Sequence, residues 1–305
     1  METLQLQIET RPNQAGSSLI SKVVRFALDS TPPAFVTDTI LVAEASRRAL
    51  ISCLVNVRGQ AQYGHEWDYL GRHKSGEQPI NLESVLTGKD AQGDPRTGHS
   101  HAYFLPTDEN GDGRIDQLTL FCRSGFSADE MQAIEMLREI RLHSRENRAH
   151  SIRVVRMQFM GQGAQSENKM SLTHSSKIWV SATPYIATRH AKTRGPSRVD
   201  LADWNSRVAF LVEDLRAQLI AVRPDIASEK IDQAIVTPLS LNGPFKVAGR
   251  WKPNDFVRTR AKLGDDGARR PTGAFCIEFP TLVEGPISIG IHAHFGMGLF
   301  SPHSP

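Results

Sequence analysis

The chain opens on LQLQIE (4–9), where apolar and polar positions alternate as they do in a strand with one buried face. A connection rich in glycine, serine and proline follows. Over 37–55, TDTILVAEASRRALISCLV, the period lengthens to that of a helix, with Thr37 or Asp38 as its cap. Residues 56–97 are polar and glycine-rich and predict no regular element. HAYFLP (101–106) and IDQLTLFCR (115–123) read as strands joined by ENGDG, a turn signal because asparagine and glycine accept positive φ. SADEMQAIEMLREIRLHS (127–144) predicts an amphipathic helix capped by Ser127, with acids in its first turn. IRVVRMQFMG (152–161) predicts a strand. The order β-α-β-β-α-β is the ferredoxin-like arrangement, a four-stranded antiparallel sheet with two helices on one face.

The polar, glycine-containing stretch GQGAQSENK (161–169) marks a domain boundary, giving domains over 1–165 and 166–305. Beyond it KIWVSATPYI (177–186) predicts a strand and residues 201–222 a helix. IDQAIVTPL, DFVRTRAKL, GAFCIEFP and ISIGIHAHF are the later strand candidates. The predicted fold class is therefore α+β: two ferredoxin-like (RRM-like) domains in tandem, the second degenerate. No sequence repeat links the halves, so this expectation rests on element order alone.

Composition narrows the class rather than the function. The 305 residues carry a net charge of +3, so a basic partner surface must come from local clustering. Three widely spaced cysteines, Cys53, Cys122 and Cys276, fit neither a disulfide framework nor a zinc knuckle. No apolar run approaches the roughly 20 residues of a membrane span. METLQLQIETRPNQ lacks a basic-then-apolar leader pattern, so a cytoplasmic protein with no membrane partner is expected.

Five segments carry candidate chemistry. Asp108, Asn110, Asp112 and Gly113 match the start of a calcium loop, but Thr119 stands where that loop needs a glutamate, and the same residues suit a tight hairpin turn. His99 and His101 are two apart; on a strand they share a face, where they could serve as acid and base, hold a metal, or cap the hairpin. Arg189, His190, Lys192 and Arg194 cluster after a strand and suit phosphate oxygens, or form a solvated basic loop. Lys246, Arg250, Lys252, Arg258, Arg260, Lys262, Arg269 and Arg270 surround Trp251 and Phe256. Cations interleaved with aromatics suit RNA phosphates and unstacked bases, and a strand through Arg258 and Arg260 would present one basic face. Finally, GIHAHFGMGLF (290–300) places Gly290, Gly296 and Gly298 among aromatics, with His292 and His294 interrupting them. Such glycines admit a phosphate chain or another stretch of backbone.

TGKDAQGDPRTGHSHAYFLPTDENGDGRIDQLTLF, SATPYIATRHAK and HFGMGLF together resemble the type I-U (also called I-G) CRISPR-associated repeat-processing protein of the RAMP superfamily. The resemblance implies paired ferredoxin-like domains, a glycine-rich loop near the C-terminus, and a metal-independent endoribonuclease that cuts precursor CRISPR RNA within its repeats. Larger members carry a further N-terminal region, and this chain is expected to be the processing part. Repeat-processing relatives often use a histidine near the first helix; 37–55 contains none, so His99 and His101, with Tyr103 as a further candidate and His190 in reserve, are assigned from this sequence. The implied reaction needs no cofactor or metal. A base takes the 2′-OH proton, the alkoxide attacks the adjacent phosphate, and an acid protonates the departing 5′-oxygen, leaving a 2′,3′-cyclic phosphate. Arg189, Lys192 and Arg194, the 246–270 cations, and Gly296 and Gly298 would hold the RNA, precursor and processed. Other CRISPR effector subunits are the further partners implied. The rival readings are a non-catalytic RNA-binding subunit and a metal-dependent hydrolase using His99 and His101.

Overall fold

The computed structural model describes residues 21–64, 67, 79–96, 98, 100–143, 152–163, 172–192, 194–195, 198–240, 243–262 and 264–303. The LQLQIE strand and His99 lie outside them. The fold is mixed α+β, with two five-stranded antiparallel sheets.

The first half contains β1 (Val23–Asp29), α1 (Thr39–Tyr63), β2 (Tyr103–Thr107), β3 (Gln117–Phe121), α2 (Ala128–Met136), β4 (Glu139–His143) and β5 (Ile152–Gln162). In α1, Ile40, Ala43, Leu50, Leu54 and Val57 recur at helical spacing and are buried. The helix stops at Gly64, whose φ of +56° suits a residue without Cβ. The sheet order is β2-β3-β1-β5-β4. Residues 156–162 of β5 pair with β1, while β4 pairs with residues 152–156. The β4–β5 hairpin thus runs past the end of β1, and the C-terminal part of β5 fills the slot beside it.

Two expectations are corrected here. The strand at 23–29 falls in a stretch read as connection. The helix expected over 127–144 ends at Met136, and Glu139–His143 becomes β4. EIRLH alternates as well as it turns helically, and pairing with β5 gives its backbone groups ladder partners; tertiary context overrides helical propensity.

The second half contains β6 (Ser175–Ser181), β7 (Tyr185–Ile186), α3 (Trp204–Val222), α4 (Ser228–Gln233), β8 (Ile235–Pro238), β9 (Thr272–Gly273), β10 (Phe275–Glu284), β11 (Ile287–Ser288) and β12 (Leu299–His303). Asp203 caps α3, accepting from the Ser206 N–H at 2.7 Å. The main sheet has the order β11-β12-β6-β10-β8, and β7 pairs with β9 separately. Setting β11 and the outer strand β4 aside, each half has its last strand, its first, its third and its second side by side. In the second half, the place of the helix between third and last strands is taken by the glycine-containing loop.

One strand expectation fails in this half and two are shortened. The strand in IDQAIVTPL begins only at Ile235, because the preceding residues close α4. DFVRTRAKL is irregular: the Val257 N–H bonds the Thr37 carbonyl at 2.9 Å and Arg260 pairs with Glu44, so the segment lies along α1 instead of joining a ladder. It presents no basic strand face. ISIGIHAHF keeps only Ile287–Ser288 as strand. It then turns through a 3-10 segment, Ala293–Phe295, flanked by left-handed His292 (φ +63°) and Gly296 (φ +76°). The last strand, β12, was not among the expectations; it pairs with β6.

The halves are not separate cores. One buried cluster runs from Phe26, Ile40 and Leu118 through Trp179, Tyr185 and Phe275 to Phe300. Burying each large side chain contributes about 1.5–3 kcal/mol, so this shared core holds the seam shut. Among the described residues, no helix is long and apolar enough to cross a membrane.

Candidate functional site

The glycine-containing loop is the joint between the halves. A Cβ on Gly296 would come within 2.8 Å of Thr39 on α1 and 3.0 Å of Pro106 on β2. A Cβ on Gly298 would lie 1.9 Å from the Ile289 carbonyl oxygen. Both glycines are buried. Gly296 lets the loop dock against the first half and Gly298 lets it fold back on Ile289; neither glycine forms an exposed phosphate cradle.

That docking brings His294 over the start of β2. Its imidazole stacks on His101 with centroids 3.5 Å apart and planes 21° from parallel. Its ring also lies 3.9 Å from that of Tyr103. His294 Nδ1 lies 3.3 Å from the Ala102 carbonyl oxygen. A carbonyl only accepts, so Nδ1 carries the hydrogen, and in the neutral ring Nε2 is left as the basic nitrogen. Both histidines are half-buried. Tyr103 differs: burial pushes its phenol up to about 12, and its hydroxyl has no hydrogen-bond partner among the described residues. It stays protonated at neutral pH and serves as a ring platform.

A second layer fixes the loop. His292 Nε2 lies 3.0–3.1 Å from both Asp265 oxygens, and Asp265 also accepts from the Gly267 N–H at 2.9 Å. Burial pulls His292 below its ordinary value, only partly opposed by Asp265. Arg260 Nε donates to Glu44 on α1 at 2.9 Å, and its guanidinium lies 3.8 Å over Phe295, the residue after His294. Glu44 Oε2 accepts from the Ala261 N–H at 3.1 Å. Helix α1, the 258–267 segment and the glycine loop are thereby tied together.

The other candidates separate by what they touch. Asp214 is buried and accepts from the Tyr185 hydroxyl at 2.6 Å, from the Thr188 N–H and hydroxyl at 2.8 and 3.0 Å, and from Arg189 Nε at 3.0 Å. Arg189 also reaches Glu213, so it is an internal ion-pair partner more than a phosphate ligand. His190 lies 3.2 Å from Asp266, which Arg270 holds at 2.9 Å and draws below the usual carboxylate range. Arg270 also donates to the Thr188 carbonyl at 2.7 Å. Arg258 is half-buried, and its burial lowers it from its ordinary value. Lys192, Arg194, Arg250, Lys252, Lys262 and Arg269 are exposed, and Lys246 is partly so. The basic cluster is thus a divided set, part structure and part surface.

The acidic segment behaves as a turn. Asp108 accepts from the backbone N–H groups of Gly111, Asp112 and Gly113, at 2.7–3.2 Å, and Asp112 from that of Arg114 at 2.7 Å. Glu109 pairs with Arg25. Among the described residues, no group of three or more His, Cys, Asp or Glu side chains is placed to hold a metal ion. Beside this turn, a cavity of about 330 Å³ opens between the halves, walled by β2, β6 and the Ala248–Trp251 loop.

Sequence reasoning missed His294, His292, Asp265 and Glu44. One signal was present: His292 and His294 repeat the two-residue spacing of His99 and His101 inside the glycine loop. Comparison with protein-family models, curated proteins and solved structures finds no match for this chain.

Proposed function

We propose that this chain is a metal-independent endoribonuclease that cuts precursor CRISPR RNA within its repeats and keeps hold of the product. The carrying observation is the stacked pair, one imidazole from each half, 3.5 Å apart at the seam. His294, its Nδ1–H held by the Ala102 carbonyl, is the base: Nε2 takes the 2′-OH proton. The 2′-oxygen bonds to phosphorus as the bond from phosphorus to the 5′-oxygen breaks, and protonated His101 supplies the proton to that leaving oxygen. This reaction needs one imidazole neutral and the other protonated.

The shared strand order of the two sheets supports reading them as paired ferredoxin-like units, the second lacking one helix. The exposed cations Lys192, Arg194, Arg250, Lys252, Lys262 and Arg269 are the groups available for phosphates. The repeat RNA is the primary partner, with other effector subunits as a further assembly.

The test is cleavage of a repeat RNA in excess EDTA. Activity should persist, and it should vanish on a substrate with a 2′-deoxy nucleotide at the scissile position. His101→Ala and His294→Ala should each lower the single-turnover rate by about 10²–10⁴-fold. Cleavage that chelation abolishes, or that survives both substitutions, overturns the reading. Tight repeat binding without cleavage by the parent protein would instead support the RNA-binding-subunit alternative.

A further inference from the structure

The 330 Å³ cavity lies apart from the histidine stack and has its own chemistry. Its volume lies within the range of small-molecule sites, large enough for one nucleotide and too small for a folded strand. Pro106, Leu172, Val180 and Ala182 give it apolar walls, and Trp251 an aromatic one. At the mouth, the exposed Arg250 guanidinium lies 5.0 Å over the Trp251 ring and reaches the Asp112 carbonyl at only 3.4 Å. Thr107, on the wall, has a buried hydroxyl with no hydrogen-bond partner among the described residues.

The charges at the rim discriminate. Asp108 and Glu109 would repel an anion, but Asp108 is occupied by three backbone N–H groups and Glu109 by Arg25. Among the described residues Arg250 has no carboxylate partner; it lies over the Trp251 ring and makes a long contact to a neutral carbonyl. An occupant should therefore combine a flat apolar body and one negative group. The loop is also set closely: a Cβ on Gly113 would fall 3.0 Å from Arg250 and 3.2 Å from Trp251. The left-handed turn at Gly113 (φ +88°) thus lets the Arg250–Trp251 pair sit down on the acidic hairpin.

We propose that this cavity receives one unstacked nucleotide, its base against Trp251 and its phosphate at Arg250. Resting on the ribonuclease reading, that nucleotide belongs to the bound RNA and fixes the register of the strand at the stack. Base–aromatic stacking accepts any base, so Trp251 sets affinity without selecting a base.

Calorimetric titration of the full chain with uridine, UMP, AMP and inorganic phosphate tests it. UMP and AMP should bind more tightly than uridine, and inorganic phosphate should not displace them. Trp251→Ala should weaken UMP on the order of tenfold. Arg250→Gln, at an exposed position, should leave the fold intact and erase the difference between UMP and uridine. Repeat RNA should displace UMP, and a repeat abasic at one position should lose that ability.

Displacement by phosphate alone, or an Arg250→Gln protein that still prefers UMP to uridine, overturns the assignment. Failure of repeat RNA to displace UMP overturns the strand-register clause. The ribonuclease reading fails separately: if His101→Ala and His294→Ala leave cleavage unchanged while UMP still depends on Arg250, the cavity stands and that reading falls.

Discussion

Glu44→Ala is the sharpest test of how the site is held. Glu44 is buried in α1; one oxygen takes Arg260 Nε at 2.9 Å and the other the Ala261 N–H at 3.1 Å. Removing it leaves the Arg260 guanidinium against Phe295 without its counter-charge. Breaking a buried pair from one side costs about 3–5 kcal/mol. The Arg260 side chain keeps 23% of its exposure, so water takes up part of that load and the expected loss falls to about 2–3 kcal/mol. Glu44→Gln keeps one acceptor oxygen but turns an NH2 toward the other donor, so it should lose less than Glu44→Ala, about 1–2 kcal/mol. Urea unfolding at constant m reads the difference as a midpoint shift. Glu213→Ala is the control, because its pair with Arg189 is exposed on both sides and should matter by well under 1 kcal/mol. The reasoning further requires cleavage to fall in Glu44→Ala under conditions where the protein is still folded, since Arg260 and Phe295 seat His294. Equal midpoint shifts for Glu44→Ala and Glu213→Ala would refute it.

Gly296→Ala should cost more than Gly111→Ala in the same assay: both have φ near +76° to +79°, but only Gly296 has Thr39 and Pro106 in the way of a Cβ. Tyr103→Phe should leave both stability and cleavage within about 1 kcal/mol of the parent, because the deleted hydroxyl has no partner among the described residues; loss of cleavage would put the phenol in the chemistry. Arg189→Gln should lower stability without changing the salt dependence of repeat binding, whereas Lys192→Gln should reduce that slope by about one phosphate contact. His292 is held below its ordinary value of 6.5 by burial, so the unfolded chain takes up the proton first as pH falls. Its contribution to stability is therefore complete above 6.5 and is lost as pH drops from there through the lower folded value; His292→Asn should flatten stability across that window, and an unchanged pH profile would contradict it.

Local periodicity was enough to identify α1, β3, β5 and α3, where the spacing of Ile40, Leu50 and Leu54, or of Leu118 and Leu120, records the inward face; β2, buried at every position, was legible only as a short apolar run. Ser127 announced a helix start for the same reason: a cap acts through its own next three residues. Asp203, which caps α3, falls inside the expected helix rather than at its start. The paired histidine at 101 and the turn at 108–113 were likewise readable as local chemistry.

Tertiary structure decided the rest, wherever a segment's partner lies far along the chain. EIRLH is a strand because β5 is beside it, and DFVRTRAKL is not one because Glu44 and Thr37 hold it on α1. Arg189 looked like a phosphate ligand until Asp214, 25 positions away, took it. The stack of His101 on His294 joins residues from opposite halves, and no period or motif encodes that meeting. Only the close approach allowed by Gly296, Gly298 and the shared core sets the two imidazoles face to face.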